Sequence, residues 1–331
     1  MLRMSLMKMR WGIAGPGWIS SQFAKDLAFA QGAELAAVAG RNLEKAEKFA
    51  REHGAPKAYG SLEELANDPD VDIVYIGTLH PVHKDNMLTF LRAGKAVLCE
   101  KPFTMNAAEA EEAVACAKEN GAFLMEAMWT RYLPAIRKVR EWLSEGKIGE
   151  VQLVKAEFGF DAGWQPEGRL LNKALGGGTL LDAGIYPVSF ASMIYGAQPD
   201  KIMSTVRIGE TGVDEQFSLL FEYDGGRTAS LHGAVRLGMV NDAVIYGTKG
   251  HIHIPEFLYT RSASLHVTGE EPLAYRDDRQ SHGYAFEAEE AMACLREGRK
   301  ESHVMPQEET VGIMRTLDRI REQWNLKYPF E

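Results

Sequence analysis

The chain has 331 residues, 45% of them hydrophobic, and a net charge of -9 with its basic residues dispersed. That length allows two domains with separate cores, and that charge pattern argues against a nucleic-acid surface, which needs clustered Lys and Arg. Apolar runs such as VDIVYIGTL are far too short to span a bilayer, and the opening MLRMSLMKMR lacks the apolar core of a signal peptide. A cytoplasmic protein working on a small molecule is the expectation, with no membrane and no nucleic acid as partner.

Residues 1–8 read as alternative starts and stand outside the fold argument. From Arg10 onward, RWGIAG, ELAAVAG, VDIVYIG, AVLCE and AFLMEA read as strands of a parallel sheet, whose two covered faces permit continuous apolar runs. Between them SSQFAKDLAFAQG, NLEKAEKFAREHG, SLEELANDP, HKDNMLTFLRAG and NAAEAEEAVACAKENG read as helices. Ser61 and Asn106 suit N-caps, and Gly54, Gly94 and Gly121 suit C-terminal stops. This is β-α-β repeated, a doubly wound Rossmann sheet over residues 9–127.

After Ala127 the rhythm changes. A helical segment, LPAIRKVREWLSEGKIG, leads into the strand VQLVKAEFGF, and Gly176-Gly177-Gly178 precedes another helix. Then KIMSTVRIG, EQFSLLFEYDGGRTASLHGAV and DAVIYGTKGHIHI follow without crossover helices, and Asp224-Gly225-Gly226 between alternating runs marks a hairpin. GYAFEAEEAMACLREG and a segment near 306–325 read as closing helices. Residues 128–331 are therefore expected to form an α+β domain with a large, mostly antiparallel open sheet, which binds substrate and supports dimerisation.

Gly15-Pro16-Gly17 stands directly after the first strand and before the first helix. Glycine there allows a tight turn and lets backbone N–H groups, including those of Trp18 and Ile19, approach a pyrophosphate at the helix N-terminus. Ser20 takes the place of the usual third glycine. The second strand ends in Gly40-Arg41-Asn42 with no acidic residue at its tip. An acidic residue there would hold a ribose 2′-OH, whereas Arg accommodates a 2′-phosphate, so NADP is favoured and NAD stays possible.

Ligands of open α/β sheets lie outside the carboxyl ends of strands. AVLCE ends in Glu100 and Lys101-Pro102, and VYIGTLHPVH brings Thr78, His80 and His83 to the neighbouring end. Thr78, His80, His83, Glu100 and Lys101 join Gly15, Gly17, Trp18, Ile19 and Arg41 as candidate cofactor contacts. His80 and Trp129 are candidate substrate contacts; ordinary core packing is the alternative for Trp129, and capping or packing for His83. His251 and His253 alternate along a strand without a carboxylate at ligand spacing, so no metal is expected. Cys99, Cys116 and Cys294 include no C-x-x-C pair and read as ordinary thiols.

Gly15-x-Gly17, Glu100-Lys101-Pro102 and Asp182-x-x-x-Tyr186, in that order, resemble the glucose-fructose oxidoreductase, inositol dehydrogenase and MocA family. Within it, GTLHPVHKDNM, AVLCEKPF, FLMEAMWTRYLP and LGGGTLLDAGIYP are similar to the dimeric dihydrodiol dehydrogenase and NADP-dependent D-xylose dehydrogenase branch. The resemblance runs from Arg10 to about Pro329. It implies a nicotinamide-dependent oxidoreductase acting on the CH–OH group of a sugar, polyol or cyclic trans-diol, and a homodimer through the C-terminal sheet. Many relatives carry histidine where this chain has Tyr186, and the dihydrodiol branch carries tyrosine. The resemblance further implies a cis Lys101–Pro102 bond.

Oxidising a carbinol sends a hydride to the cofactor and a proton to the protein, so a base is needed beside the hydroxyl. An adjacent ammonium favours a tyrosine's phenolate. Tyr186 is thus assigned as general acid/base, Lys101 as its electrostatic activator and a hydrogen-bond donor to substrate, and Asp182 as an orienting partner. A second division of labour, with Lys101 as proton carrier and Tyr186 as binding group, also fits. Asp182 and Tyr186 stand at i and i+4, while Pro187 disfavours helical geometry at Tyr186. From a different class, a non-catalytic NADP-sensing regulator shares this fold, although it would need neither Lys101 nor Tyr186.

Overall fold

The computed structural model describes residues 8–331, so the methionine-rich opening up to residue 7 lies outside the described residues. Six parallel strands, β1 (Met9–Ala14), β2 (Ala33–Ala39), β3 (Lys57–Tyr59), β4 (Ile73–Ile76), β5 (Ala96–Glu100) and β6 (Leu124–Ala127), lie in the order β3-β2-β1-β4-β5-β6. The order reverses between β1 and β4, the switch point at which doubly wound sheets bind ligands. Every residue of β4, β5 and β6 is buried, as expected of parallel strands covered on both faces. β3 is absent from the sequence reading because Lys-Ala-Tyr is too short to make an apolar run.

Local punctuation follows the sequence. Ser61 forms a capping box with Glu64, and the Asn106 side chain accepts the Glu109 N–H. Gly54, Gly94 and Gly121 all take positive φ where helices end.

The chain forms two compact units, one of residues up to 132 with 280–311, the other of 133–279 with 312–331. A single cut between residues 127 and 128 leaves out this return of the chain, whose cause is coverage. Helices Trp18–Leu27 and Leu43–His53 pack together, while Leu62–Ala66, His83–Arg92 and Ala107–Glu119 form a second packed group. The helix Tyr284–Arg296 joins the first group by packing on Trp18–Leu27. Asp26, 1% exposed, fastens it by accepting the backbone N–H groups of His282, Gly283 and Tyr284 at 3.0, 2.7 and 2.9 Å. A carboxylate at a helix N-terminus satisfies orphan donors and opposes the helix dipole.

In the second unit, β7 (Val151–Gly159), β8 (Lys201–Ile208), β9 (Asp214–Glu222), β10 (Thr228–Ala234), β11 (Ala243–Gly247), β12 (Gly250–Ile254), β13 (Ser262–Val267) and β14 (Leu273–Arg276) make one sheet. Their order is β14-β13-β12-β11-β7-β10-β9-β8. All pairs are antiparallel except β7 with β10. Gly225 and Gly226, both at positive φ, turn the β9–β10 hairpin. Helices Pro134–Ser144 and Ile185–Tyr195 pack on the sheet.

The other face of this sheet, through which a homodimer is expected, is not a continuous apolar patch. One cross-strand row reads His251, Tyr246, Leu153, Thr228, Glu222 and Lys201, and the next His253, Val244, Lys155, Ser230, Leu220 and Met203. Apolar, hydroxyl, imidazole and charged groups alternate across it. Among the described residues, no helix is long and apolar enough to cross a membrane.

Candidate active site

The first site grows from β1. Gly15 has φ +91, and a Cβ there would lie 2.6 Å from Thr78 Cγ2, so only glycine makes this turn. Gly17 precedes the helix Trp18–Leu27, and a Cβ there would meet nothing nearer than 3.9 Å; the space in front of the helix is open for a pyrophosphate. Ser20 is fully buried and donates to the Gly15 carbonyl at 2.6 Å. Gly77 accommodates it, since a Cβ on Gly77 would fall 2.2 Å from Ser20 Oγ. The serine thus closes the loop that a third glycine normally permits. A Cβ on Gly40 would lie 2.7 Å from Pro16, and exposed Arg41 follows it directly at the strand tip. These residues fit a dinucleotide.

Lys101 follows β5, half-buried, with a cis bond to Pro102. Beneath it, Glu100 accepts the Tyr75 hydroxyl at 2.6 Å and the Lys101 N–H at 3.1 Å. Glu100 is 4% exposed. The ring nitrogens of buried His83 lie 3.0 Å from the carbonyl oxygens of Pro102 and Thr78, and the neutral ring that burial favours donates to one of them. Thr78 accepts Asn86 Nδ2 at its hydroxyl, and buried His80 opens the turn His80–Val82.

Trp129 is 1% exposed and packs 4.8 Å from the Tyr284 ring. Arg131 pairs with Glu309 at 2.7 Å and donates to the Val304 carbonyl, a structural role within the same unit.

The second unit carries Asp182 and Tyr186. A π-helical turn, Leu180–Gly184, runs directly into the helix Ile185–Tyr195. Tyr186 is helical even though Pro187 follows it. The wide turn is possible because Gly184 and Gly233 both leave room for the Phe217 ring, at 2.6 and 2.5 Å from their hypothetical Cβ atoms. Asp182 pairs with Arg169, from the loop after β7 whose sequence offers no readable code. Phe158 meets Tyr186 edge-on at 5.7 Å.

Asp214, unremarked in the sequence, anchors this segment. Its Oδ2 accepts the Leu180 N–H at 2.6 Å, and Gly178 is obligatory because a Cβ there would fall 2.2 Å from Oδ1. The Tyr328 hydroxyl donates to the Gly177 carbonyl at 2.8 Å, so the same loop is held from both sides. Burial pushes Asp214 up to about 7, against the pull of the Leu180 N–H. Among the described residues no group of three or more side chains forms a metal site. His251 stacks on His266 at 4.5 Å and His253 pairs with Asp242.

Residues 9–128 match the model of an oxidoreductase family with an NAD-binding Rossmann fold, and residues 136–253 match a GFO/IDH/MocA C-terminal domain. The chain belongs to the GFO/IDH/MocA family. It is 44% identical over 333 residues to the trans-1,2-dihydrobenzene-1,2-diol dehydrogenase of Mus musculus, covering 98% of this chain and 99% of that one. A 3-ketoreductase from Actinomadura kijaniata, solved with NADP and TDP-benzene, superposes with a TM-score of 0.84 at 25% identity, over 95% of this chain and 97% of that one. A levoglucosan dehydrogenase solved with NADH and levoglucosan gives 0.87 at 18% identity over 96% and 97%. This family member is thus an NAD(P)-dependent oxidoreductase of the dihydrodiol and sugar dehydrogenase type.

The raised Asp214 has a definite consequence. Its carboxyl titrates near 7 when folded but at roughly 4 when unfolded, so the folded state retains a proton that the unfolded state releases. This contribution is complete below ~4 and disappears as pH rises through 7. Asp214→Asn, which keeps an acceptor for Leu180, should raise the melting temperature most at roughly pH 8 and least at roughly pH 4. Equal shifts at both values in thermal melts would contradict this account.

Proposed function

We propose that this enzyme interconverts a carbinol and a carbonyl on a sugar, polyol or cyclic trans-diol, with Lys101 and Tyr186 as the chemical pair and NADP as the preferred cofactor. The observation that carries the reading is Lys101 at the carboxyl end of β5 on a buried Glu100, in a chain aligned over 98% of its length with a trans-diol dehydrogenase. The nicotinamide, when bound, takes or returns the hydride. The protein's own groups manage the proton. Tyr186 as phenolate accepts it from the substrate hydroxyl during oxidation and returns it during reduction. A phenol titrates near 10 when isolated, roughly three units too high for this work, and the Lys101 ammonium stabilises the phenolate and lowers the difference. Lys101 also donates to the substrate oxygen, and Asp182, held by Arg169, orients the substrate. His80 is the proposed substrate contact from the first unit.

Loss of the Tyr186 hydroxyl in Tyr186→Phe should lower turnover by at least ~100-fold with NADP affinity nearly unchanged. The assay is NADPH absorbance with aldoses, inositols, dicarbonyls and trans-diols. Full activity in this variant would remove Tyr186 from the chemistry, and tight NADPH binding without turnover by the wild type would favour a cofactor-sensing regulator.

Arg41, next in the chain to the Gly40 that packs against Pro16, supports the NADP preference because a guanidinium pairs with a 2′-phosphate and gains nothing from a 2′-OH. Arg41→Ala should weaken NADP binding by about tenfold or more while NAD binding changes little; equal losses in titrations of both cofactors would refute this role.

The open face of the eight-stranded sheet supports a homodimer, with Met203, Leu220, Val244, Leu153 and Tyr246 as its apolar contacts. Light scattering should give twice the chain mass across micromolar concentrations, and monomer throughout would dismiss the interface.

A further inference from the structure

The helix Tyr284–Arg296 carries three glutamates, and Glu287 is the one that is completely buried. Neither of its carboxyl oxygens has a hydrogen-bond donor among the described residues. Four ionisable groups interact with it electrostatically: Glu100 on β5, Asp26 on the helix Trp18–Leu27, Tyr75 on β4 and Tyr132 in the turn Trp129–Tyr132. The two charges that act on it are both negative. Asp26 has three backbone donors, and Glu100 has the Tyr75 hydroxyl and the Lys101 N–H. Glu287 is the member of this acidic group without a compensating donor.

A buried carboxylate without a donor, facing two other carboxylates, is strongly disfavoured relative to its neutral acid. The neutral acid has one O–H to give. Asp26 is engaged by backbone donors at the helix start, whereas Glu100, the larger of the two charges acting on Glu287, runs directly into Lys101. We propose that Glu287 is a positioning residue: a neutral acid whose proton is directed at the Glu100 carboxylate, so that the two carboxyl groups carry a single negative charge behind Lys101. Burial, then the Glu100 and Asp26 charges, push the Glu287 carboxyl well above the usual range, in keeping with this state. Glu287 acts through Glu100 on the strand end that presents Lys101, and this role rests on the reading of Lys101 as part of the reaction.

The pair Glu287→Gln and Glu287→Leu separates this role from packing. Glutamine retains an N–H donor of nearly the same shape, and leucine fills the space without one. In Glu287→Leu, Glu100 loses a donor to its charged form, so its pKa rises and the acidic limb of the kcat profile moves to higher pH. The kcat of that variant should fall by about tenfold or more, while the KM for cofactor stays unchanged. Glu287→Gln should keep both the wild-type limb and a kcat within about twofold. Packing alone would scale the rate without moving the limb, and identical behaviour of the two variants would overturn the proposal.

An activity-independent readout is the infrared difference spectrum of wild type against Glu287→Gln at neutral pH. A neutral carboxyl band should be present in the wild type and lost in the variant; no lost band overturns the assignment even where the leucine variant does not fold. Conversely, a lost band in a protein that turns over none of the substrates supports the neutral Glu287 and places the failure with the proposed reaction.

Discussion

The first unit depends on one buried charge. Asp26 lies at the end of the first helix of the sheet, out of water, and its carboxylate is tolerable only because three backbone N–H groups meet it. Those groups belong to the start of a helix more than 250 residues further along the chain. The contact is reciprocal: the helix start needs an acceptor and the buried carboxylate needs donors. By fixing where Tyr284–Arg296 begins, it fixes what that helix brings to the unit, namely the Tyr284 ring against Trp129 and a buried Glu287 carboxyl that interacts with the Glu100 charge. Half-buried Lys101 stands directly after that Glu100.

The second unit solves a similar problem with shape. Gly184 and Gly233 give up their side chains to admit Phe217, and the chain above Phe217 widens into a π turn that carries Asp182 and delivers Tyr186. Asp214 and Tyr328 hold the glycine loop ahead of that turn. In both units the residue proposed for chemistry sits one step from a buried acid whose protonation is set by its surroundings. Asp214 also makes ionisation part of folding, because burial favours its neutral form.

Much of this was readable from residue order. Gly15-Pro16-Gly17 after an apolar run and before an amphipathic one has few structural solutions, and the capping residues Ser61 and Asn106 act on groups within three positions of themselves. Such signals are local, so they survive without tertiary knowledge. Other contacts have the opposite character. His83, Glu100 and Trp129 stand at strand ends near a plausible ligand, and each meets a partner that folding brings from elsewhere: a carbonyl of Pro102, a hydroxyl of Tyr75, a ring of Tyr284. Nearness to a site in sequence says nothing about which way a side chain faces.

Sequence by itself determined the doubly wound sheet, the dinucleotide loop, the antiparallel second sheet with its Asp224-Gly225-Gly226 hairpin, and the candidate pair Lys101 and Tyr186, because periodicity, glycine and capping chemistry are short-range. One sign of Glu287 was present as well, since it falls on the apolar stripe of Tyr284, Ala288 and Ala291 at helical spacing. Tertiary structure alone decided the return of residues 280–311 to the first unit, the parallel pairing of β7 with β10, the Arg169–Asp182 pair and the acids that no local donor satisfies. The physical reason is that burial is a property of the whole fold. A carboxyl group becomes a neutral acid, or a tyrosine a core ring, only when distant segments remove water from it.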